Sequence, residues 1–467
     1  MNNPSPFTFH PSPFTLNPSP ISEVRMNIKR LISAVLAAVL CCVSLAGCSG
    51  MSLTGSDVLT PPMAHGARSE LQELIRESAG GAYSLVYPSS GELQSAVISR
   101  DIDGDGLEEA IAMFRAKDDT VRILSLSRSS FGYSAAGEAV LNTALILKAE
   151  FADLDGDGTE EFIVTYPDGD TSQTSLTVIR MGSDYAQADM PAACSAYLIE
   201  DLDNDPGRDI LLFSLPNPFA SAAATLLGYR DGALITKSAC EIDSALTDYP
   251  NITCGSISAD VRGVFVDGVS AEYEYSTQVL YCDPEQGLLN PLFVYSGYES
   301  TRRFCRIFSS DIDGDGLTEL PVCSLFDFEE GEDPDTVCSR ITWNNYDIDE
   351  IALITKRTAV LCDDRGSLFN ISDNRVGAVT ARHSGADTME IYAWEYRDGA
   401  MRRTDLLLTV RSYPKGSYDG FDLEETILGE TDSAVYTYQI AAADHRLGYT
   451  DAEVRGSFRI PQNQQAD

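Results

Sequence analysis

The chain has 467 residues, and its 71 acidic residues outnumber its 33 basic residues, for a formal net charge of −38. This charge argues against nucleic acid or an anionic membrane face as the main partner, because both would repel the protein. Hydrophobic residues make up 43% of the chain, which is enough for a packed core and argues against global disorder.

Two segments at the N-terminus are not expected to be part of the folded body. Residues 1–25 form a Pro-rich leader, and Met26 is the favoured start of translation. Residues 26–47 have the pattern of a signal peptide, in which a basic pair precedes a short apolar run. The LAGC sequence that ends at Cys48 resembles the lipobox of bacterial lipoproteins. The resemblance implies a lipid anchor at Cys48 and an extracytoplasmic body; an uncleaved anchor helix is the alternative.

The rest of the chain divides into four predicted segments. Apolar residues on one helical face, followed by a Gly-Gly stop, predict a short amphipathic helix that packs on the body. The body itself contains apolar runs of four to eight residues, such as SLVY and EIYAWEY, broken by turn sequences such as RDG. The segments are a tether (48–65), the helix (66–80), an all-β body (83–461) and a tail (462–467).

Four acidic segments recur along the body. They are DIDGDGLEE at 101–109, DLDGDGTEE at 153–161, DLDNDPGRD at 201–209 and DIDGDGLTE at 311–319. Each has acidic residues at positions 1, 3, 5 and 9, and each runs directly into an apolar, strand-like segment. The segments therefore mark a repeating unit.

The spacing of these segments predicts the architecture. Their first aspartates stand at 101, 153, 201 and 311, so the steps are 52, 48 and 110 residues. The last step is two units, which places a unit without the motif near Asp260. The same step predicts further units near Asp373 and Asp422, for seven in all. A period near 50 with about four short strands per unit is typical of a β-propeller, with a β-solenoid as the alternative.

The motif has the chemistry of a calcium loop. Three closely spaced carboxylates repel one another without a cation, and the glycines let the loop fold back so that the position-7 carbonyl faces inward. Oxygen ligands in this number suit Ca²⁺ better than Mg²⁺. The predicted ligands are Asp101, Asp103, Asp105, Leu107 (carbonyl) and Glu109; Asp153, Asp155, Asp157, Thr159 (carbonyl) and Glu161; Asp201, Asp203, Asp205 and Asp209; and Asp311, Asp313, Asp315, Leu317 (carbonyl) and Glu319.

Two departures limit this interpretation. Pro206 replaces the position-6 glycine in the third copy, although Gly207 can take over its turn. An EF-hand needs a glutamate at position 12 and flanking helices. Position 12 here is apolar and lies in a strand-like run, so the segments match neither an EF-hand nor a dockerin.

The four segments resemble the FG-GAP or VCBS-type repeats of integrin α-subunit propellers and bacterial surface proteins. In that family the DxDxDG loop joins two strands of a blade and binds Ca²⁺. The resemblance implies a seven-bladed propeller with three to four structural calcium ions, and it implies no catalytic role for the metal.

The remaining polar residues do not predict an active site. His383 and His445 each stand alone, and no nucleophile or hydrolase motif accompanies them. Trp343 and Trp394 are either a sugar-stacking platform or filling between blades, and the second is favoured. The polar-aromatic run WNNYDIDE (343–350) is the one other candidate for a functional site. We therefore predict no catalytic residue and no enzymatic activity.

Eight cysteines lie in the body, and an exported context permits them to form disulfides. Buried reduced thiols are an equal alternative, and the pairing cannot be deduced from the sequence. The eight are Cys194, Cys240, Cys254, Cys282, Cys305, Cys323, Cys338 and Cys362.

The combined prediction is a cell-surface lipoprotein whose calcium-stabilised propeller acts as a binding, adhesion or scaffold module. Its expected partners are a protein or glycan ligand and, through Cys48, the membrane, but not nucleic acid. The alternatives are an extracytoplasmic propeller enzyme acting on polysaccharide, as a lyase or hydrolase, and an envelope-assembly scaffold.

Overall fold

The computed structural model describes residues 67–102, 105–169, 173–182, 185–295, 300–418 and 425–460. The predicted leader, signal peptide, lipidation site at Cys48, tether and C-terminal tail lie outside the described residues, as does the predicted ligand Asp103. Among the helices that are described, none combines the length and the apolar character needed to cross a membrane.

The body is an all-β propeller fold of antiparallel sheets, as predicted. The described residues form six sheets of four or five strands, and each sheet is built almost entirely from strands that are consecutive in the chain. Short hairpins join the strands because turn residues such as Asp231 and Asp398 adopt positive φ between apolar runs.

The first three sheets contain strands β1 to β14. Sheet 1 comprises β1 (Ser84–Leu85), β2 (Val97–Arg100), β3 (Glu109–Arg115), β4 (Val121–Ser129) and β5 (Gly132–Leu141). Sheet 2 comprises β6 (Lys148–Ala152), β7 (Glu161–Pro167), β8 (Thr174–Gly182), β9 (Tyr185–Ala188) and β10 (Ala192–Cys194). Sheet 3 comprises β11 (Ala196–Glu200), β12 (Asp209–Ser214), β13 (Ala223–Arg230) and β14 (Ala233–Glu241).

The other three sheets contain strands β15 to β28. Sheet 4 comprises β15 (Leu246–Ser256), β16 (Arg262–Ser270), β17 (Tyr275–Asp283) and β18 (Gly287–Leu289). Sheet 5 comprises β19 (Leu320–Leu325), β20 (Ser339–Asp347), β21 (Ala352–Leu361), β22 (Leu368–Ile371) and β28 (Phe458–Arg459). Sheet 6 comprises β23 (Val379–His383), β24 (Thr388–Arg397), β25 (Ala400–Pro414), β26 (Thr426–Glu430) and β27 (Ala434–Ile440).

Three α-helices accompany the sheets in the described part of the chain. They are α1 (Ala67–Ser78), α2 (Pro291–Val294) and α3 (Asp451–Ser457), together with a 3₁₀ turn at Pro334–Thr336. Helix α3 begins at a capping box in which Thr450 and Glu453 satisfy each other's backbone N–H groups.

The sheets pack face to face in chain order. Alternate residues of one strand enter different cores, because successive side chains point to opposite faces of a sheet. On β7, Phe162 packs with sheet 1 while its neighbour Ile163 packs with sheet 3. On β16, Val264 packs with sheet 3 and Phe265 packs with sheet 5. The hydrophobic cores therefore lie between consecutive sheets.

Helix α1 covers the outer face of sheet 1. Ile75 is 1% exposed and packs with Phe114 and with the alanines of β3. In a closed ring this face would meet the last blade. Among the described residues, the cluster on this face contains residues of α1 and sheet 1 and none from sheet 6.

The described residues form six sheets, one fewer than the predicted seven units. The units near Asp260 and Asp373 contribute sheets 4 and 6. The strands that follow the segment near Asp422 form no sheet of their own, because β27 pairs with β25 and β26 pairs with β27. They complete sheet 6 instead, and residues 419–424 lie outside the described residues.

Sheet 4 lacks the acidic motif and contains a buried ion pair. Arg303 donates to Asp267 Oδ1 over 2.8 Å, and both side chains are fully buried. The other Asp267 oxygen accepts from the backbone N–H of Ser309 and from Asn251, at 2.8 Å each. The pair is therefore hydrogen-bonded on all sides, as a buried charge must be.

Candidate metal centres

The four acidic loops lie at the same place in their sheets. Loops at 101–109, 153–161 and 201–209 each join two paired strands, whereas the loop at 311–319 follows an isolated bridge at Ser310; in all four, position 9 stands at or directly before the start of the strand that follows. Glu109, Glu161 and Asp209 are the first residues of β3, β7 and β12. Glu319 forms a bridge with Ser310 directly before β19. We call them loops one (101–109), two (153–161), three (201–209) and four (311–319).

One hydrogen bond is common to all four loops. The backbone N–H of position 2 donates to the carboxylate of position 9, which closes the loop onto the second strand. The bonds are Ile102 to Glu109 (2.9 Å), Leu154 to Glu161 (2.9 Å), Leu202 to Asp209 (3.1 Å) and Ile312 to Glu319 (3.1 Å). The acid at position 9 is thus a structural element of the loop as well as a candidate ligand.

The carboxylate at position 1 accepts backbone hydrogen bonds from inside the loop. In loop two, Asp153 accepts from the N–H groups of Gly156 (2.7 Å) and Gly158 (3.0 Å). Asp311 does the same in loop four. Both glycines of loop two have positive φ, which directs their N–H groups toward Asp153. In loop three, Pro206 has no N–H to donate from position 6.

Position 5 closes the far side of each loop. The backbone N–H of Leu107 donates to Asp105 (2.7 Å), that of Thr159 to Asp157 (2.7 Å) and that of Leu317 to Asp315 (2.9 Å). One oxygen of each position-5 carboxylate is therefore held within its own loop. The role of the position-7 carbonyl as a ligand stays a prediction.

The structure brings most predicted ligands together. Three groups each have carboxylate oxygens within 4.8 Å of one another, so they could hold a metal ion. They are Asp153, Asp155 and Glu161; Asp201, Asp203 and Asp209; and Asp311, Asp313 and Asp315. Asp157, Asp205 and Glu319 stand outside these groups. Loop one is described only through its other residues, because Asp103 is not.

The position-9 acids are buried, and their second oxygens differ. Glu109 is 2% exposed, and its Oε1 has no hydrogen-bond partner among the described residues. In loop four, the Oε1 of Glu319 accepts from Asn345 (3.0 Å). In loop two, burial and the charges of Asp155 and Asp157 raise the pKa of Glu161 to about 7. The position-9 acids of loops one and two are therefore places where a cation would be favourable.

Loop three contains a cation of the protein's own. The Lys237 ammonium on β14 lies 2.8 Å from Asp203, 2.6 Å from Asp205 and 2.6 Å from Asp209. Burial lowers the pKa of Lys237, but the three carboxylates outweigh that effect, so its pKa is raised and it stays protonated. The acidic spacing predicts calcium in this loop, and no local pattern indicates the lysine, because it is distant along the chain.

Loops two and three touch each other. The backbone N–H of Arg208 donates to the carbonyl of Asp153 over 2.9 Å. A Cβ at Gly156 would collide with Pro206, so glycine is required where the two loops meet. Between loops one and two lies a cavity of about 350 Å³, whose lining includes Arg100, Asp101, Phe151, Asp157 and Glu160.

The other candidate residues contribute no second site. Trp343 and Trp394 are 5% and 7% exposed, so neither offers a face for a sugar. The Nε2 of His445 lies 3.7 Å from Asp405 and 3.9 Å from Glu395. Burial lowers the pKa of His383. Within WNNYDIDE, Asn345 bonds to loop four as described above, which the sequence did not indicate.

The eight cysteines of the body are all free thiols in this structure. The neighbouring thiols of Cys305 and Cys323 act on each other, which raises the pKa of Cys305 and lowers that of Cys323. Burial raises the pKa of Cys194 to about 11 and that of Cys240 to about 12, which makes these two thiols unreactive.

No protein-family model and no curated protein matches the sequence. Three solved structures resemble this one at low identity. They are a protein from Lactobacillus plantarum (11% identity, TM-score 0.24, covering 64% of this chain and 81% of that chain), Sqt1 of Saccharomyces cerevisiae (8%, 0.26, 71% and 93%) and a periplasmic gluconolactonase of Pseudomonas aeruginosa (13%, 0.22, 66% and 95%). TM-scores of this size carry no argument about activity.

The prediction that the protein is not an enzyme is wrong. One of the similar structures is itself an enzyme, a gluconolactonase. The likeness is too weak to assign that activity to this chain.

The raised pKa of Glu161 predicts how stability changes with pH when calcium is absent. The folded state holds the proton more tightly than the unfolded chain, whose glutamate has a pKa near 4.5. This contribution to stability is present below pH 4.5 and is lost as the pH rises through about 7. At pH 8 without calcium, Glu161→Gln should raise the free energy of unfolding by up to about 3 kcal/mol. With calcium it should lower it, because a ligand is lost.

Urea unfolding of the wild type and Glu161→Gln at pH 5 and pH 8, with and without calcium, checks this. Glu160→Gln is the matched control, because its partly exposed side chain pairs with Arg100 outside the loop. It should change stability little and with the same sign in both buffers. Equal destabilisation by Glu161→Gln with and without calcium would contradict the assignment.

Proposed function

We propose that this protein is a cell-surface lipoprotein whose propeller is stabilised by calcium and serves as a binding or scaffold module. The structure shows the propeller fold. We propose in addition the calcium ions, the lipid anchor and the ligand.

The buried oxygen of Glu109 is the observation that carries the calcium proposal. A carboxylate oxygen without a partner in a residue that is 2% exposed is costly, because it has lost water and gained nothing in return. Asp101 and Asp105 lie in the same loop, so a cation bound there would satisfy Glu109 and reduce the repulsion among the three acids.

Loop two supports the same proposal through its geometry. Asp153, Asp155 and Glu161 bring three oxygens from one short loop to within 4.8 Å of one another. Oxygens that contract around a central ion at about 2.3–2.6 Å match the coordination distances of Ca²⁺. The flexible loop and the supply of further oxygens favour Ca²⁺ over Mg²⁺, which needs a strict octahedron.

The resemblance to FG-GAP and VCBS-type repeats agrees with the position of the loops. In that family the acidic loop joins two strands of one blade, which is where loops one to three lie here; loop four joins the bridge at Ser310 to β19. The ion is then a clip between two strands rather than a participant in chemistry.

The anchor is proposed from the LAGC sequence that ends at Cys48. A lipid on this cysteine would hold the propeller outside the cytoplasm, where calcium is available. The net charge of −38 would then keep the body away from anionic lipid while the tether holds it nearby.

The anchor can be tested with Cys48→Ser. Loss of the lipidated thiol should move the protein from the membrane fraction to the soluble fraction of fractionated cells. Cys42→Ser is the matched control, because it changes a neighbouring thiol in the signal peptide and should leave the protein in the membrane. Retention of Cys48→Ser in the membrane would indicate a spanning anchor instead.

The binding role can be tested with the released Cys48→Ser protein. It should bind to cell envelopes prepared from cells that lack the protein, and binding should fall at least several-fold when calcium is removed. Envelopes treated with protease or with periodate separate a protein ligand from a glycan ligand. Equal and negligible binding in all preparations would refute the binding module.

A further inference from the structure

Lys237 occupies the place in loop three where a metal ion would lie. Its Nζ contacts three carboxylate oxygens at 2.6–2.8 Å, and these belong to positions 3, 5 and 9 of the loop. A calcium ion on the same oxygens would lie about 2.3–2.6 Å from each. The two positions differ by only a few tenths of an ångström, so the ammonium and the ion exclude each other.

Lys237 lies at a position in its sheet that recurs in two other sheets. It is the extra residue of a β-bulge on β14, opposite Leu226 and Leu227 of β13. Leu227 in turn pairs with Ile210, the residue directly after position 9 of loop three. The strand order thus places this bulge residue beside the acidic loop.

The same bulge occurs beside loops one and four. Register identifies Ala136 as the extra residue of β5 and Lys356 as that of β21. Ala136 carries no charge toward loop one. Lys356 contacts a single carboxylate, that of Asp315, at 3.3 Å, and its side chain is 37% exposed against 18% for Lys237.

One residue explains why the two lysines differ. Gly228 faces the stem of Lys237, and a Cβ at this glycine would collide with Lys237 Cε. The register-equivalent residue beside loop four is Asn345, whose amide already donates to Glu319. The glycine leaves a passage through which Lys237 reaches the position-9 acid, whereas the asparagine occupies that place for Lys356.

Two further departures in loop three fit a lysine rather than an ion. Asp209 is one methylene shorter than the glutamate of the other loops, which leaves room for the ammonium. Pro206 removes the N–H that in loops two and four holds the second oxygen of position 1. Loop three has thus lost part of the hydrogen bonding that shapes loops two and four.

We infer that Lys237 is a tethered cation that replaces calcium in loop three. This inference deepens the proposed function, since it states which acidic loops take up ions. Calcium binds in loops one, two and four, while loop three is neutralised permanently by the protein itself. Loop three is therefore independent of the calcium concentration, even though it carries the acids of a calcium loop.

Equilibrium dialysis of the full chain against radioactive calcium tests the inference. Lys237→Met should gain one bound ion per chain relative to the wild type. Lys356→Met is the matched control, because it removes the same charge from the equivalent bulge, and it should gain none. No gain in Lys237→Met, or an equal gain in both variants, would overturn the inference.

A second pair of variants leaves Lys237 in place. Asp203→Asn in loop three should leave the number of bound ions unchanged, whereas Asp155→Asn in loop two should remove one. Loss of an ion in Asp203→Asn would overturn the inference even if Lys237→Met did not fold. A wild type that binds no calcium would instead refute the proposed function, and a gain in Lys237→Met would then still support the tethered cation.

Discussion

The hydrogen bond between the position-2 N–H and the position-9 carboxylate is the interaction on which the blade edges depend. It recurs at 2.9–3.1 Å in all four loops and ties each loop to the residue at, or directly before, the start of the following strand. The bond requires a buried acid at position 9, beside the other acids of the loop. Forming the loop therefore concentrates negative charge, and every blade that uses this design must neutralise it.

The blades neutralise this charge in different ways. Loop three contains the Lys237 ammonium, while loop four shares its charge with Asn345 and the outer Lys356. In loop one the Oε1 of Glu109 has no hydrogen-bond partner among the described residues, and in loop two the pKa of Glu161 is raised to about 7, which is why we propose a bound ion in both. Sheet 4 lacks the motif, and its buried Arg303–Asp267 pair lies within the sheet, away from the turn between β15 and β16. A common strand framework thus carries acidic loops with and without a cation of the protein's own.

Local patterns in the sequence predicted the loops and the strands, because both depend on residues a few positions apart. The acidic spacing placed Glu109 and Glu161 at strand starts, and the period placed sheets near Asp260 and Asp373. The spacing also predicted a seventh unit near Asp422. It could not show that β27 pairs with β25 in sheet 6, because packing at the end of the chain decides that pairing. Lys237 was missed because a bulge and a facing glycine, neither visible in a local pattern, bring it to loop three.

Anomalous diffraction from crystals grown with calcium tests the central claim most directly. The account predicts anomalous peaks in loops one, two and four, with the peak in loop two about 2.3–2.6 Å from oxygens of Asp153, Asp155 and Glu161. It predicts no peak in loop three, where density for Lys237 should fill the site. Saturating calcium that leaves loops one and two without a peak would contradict the account.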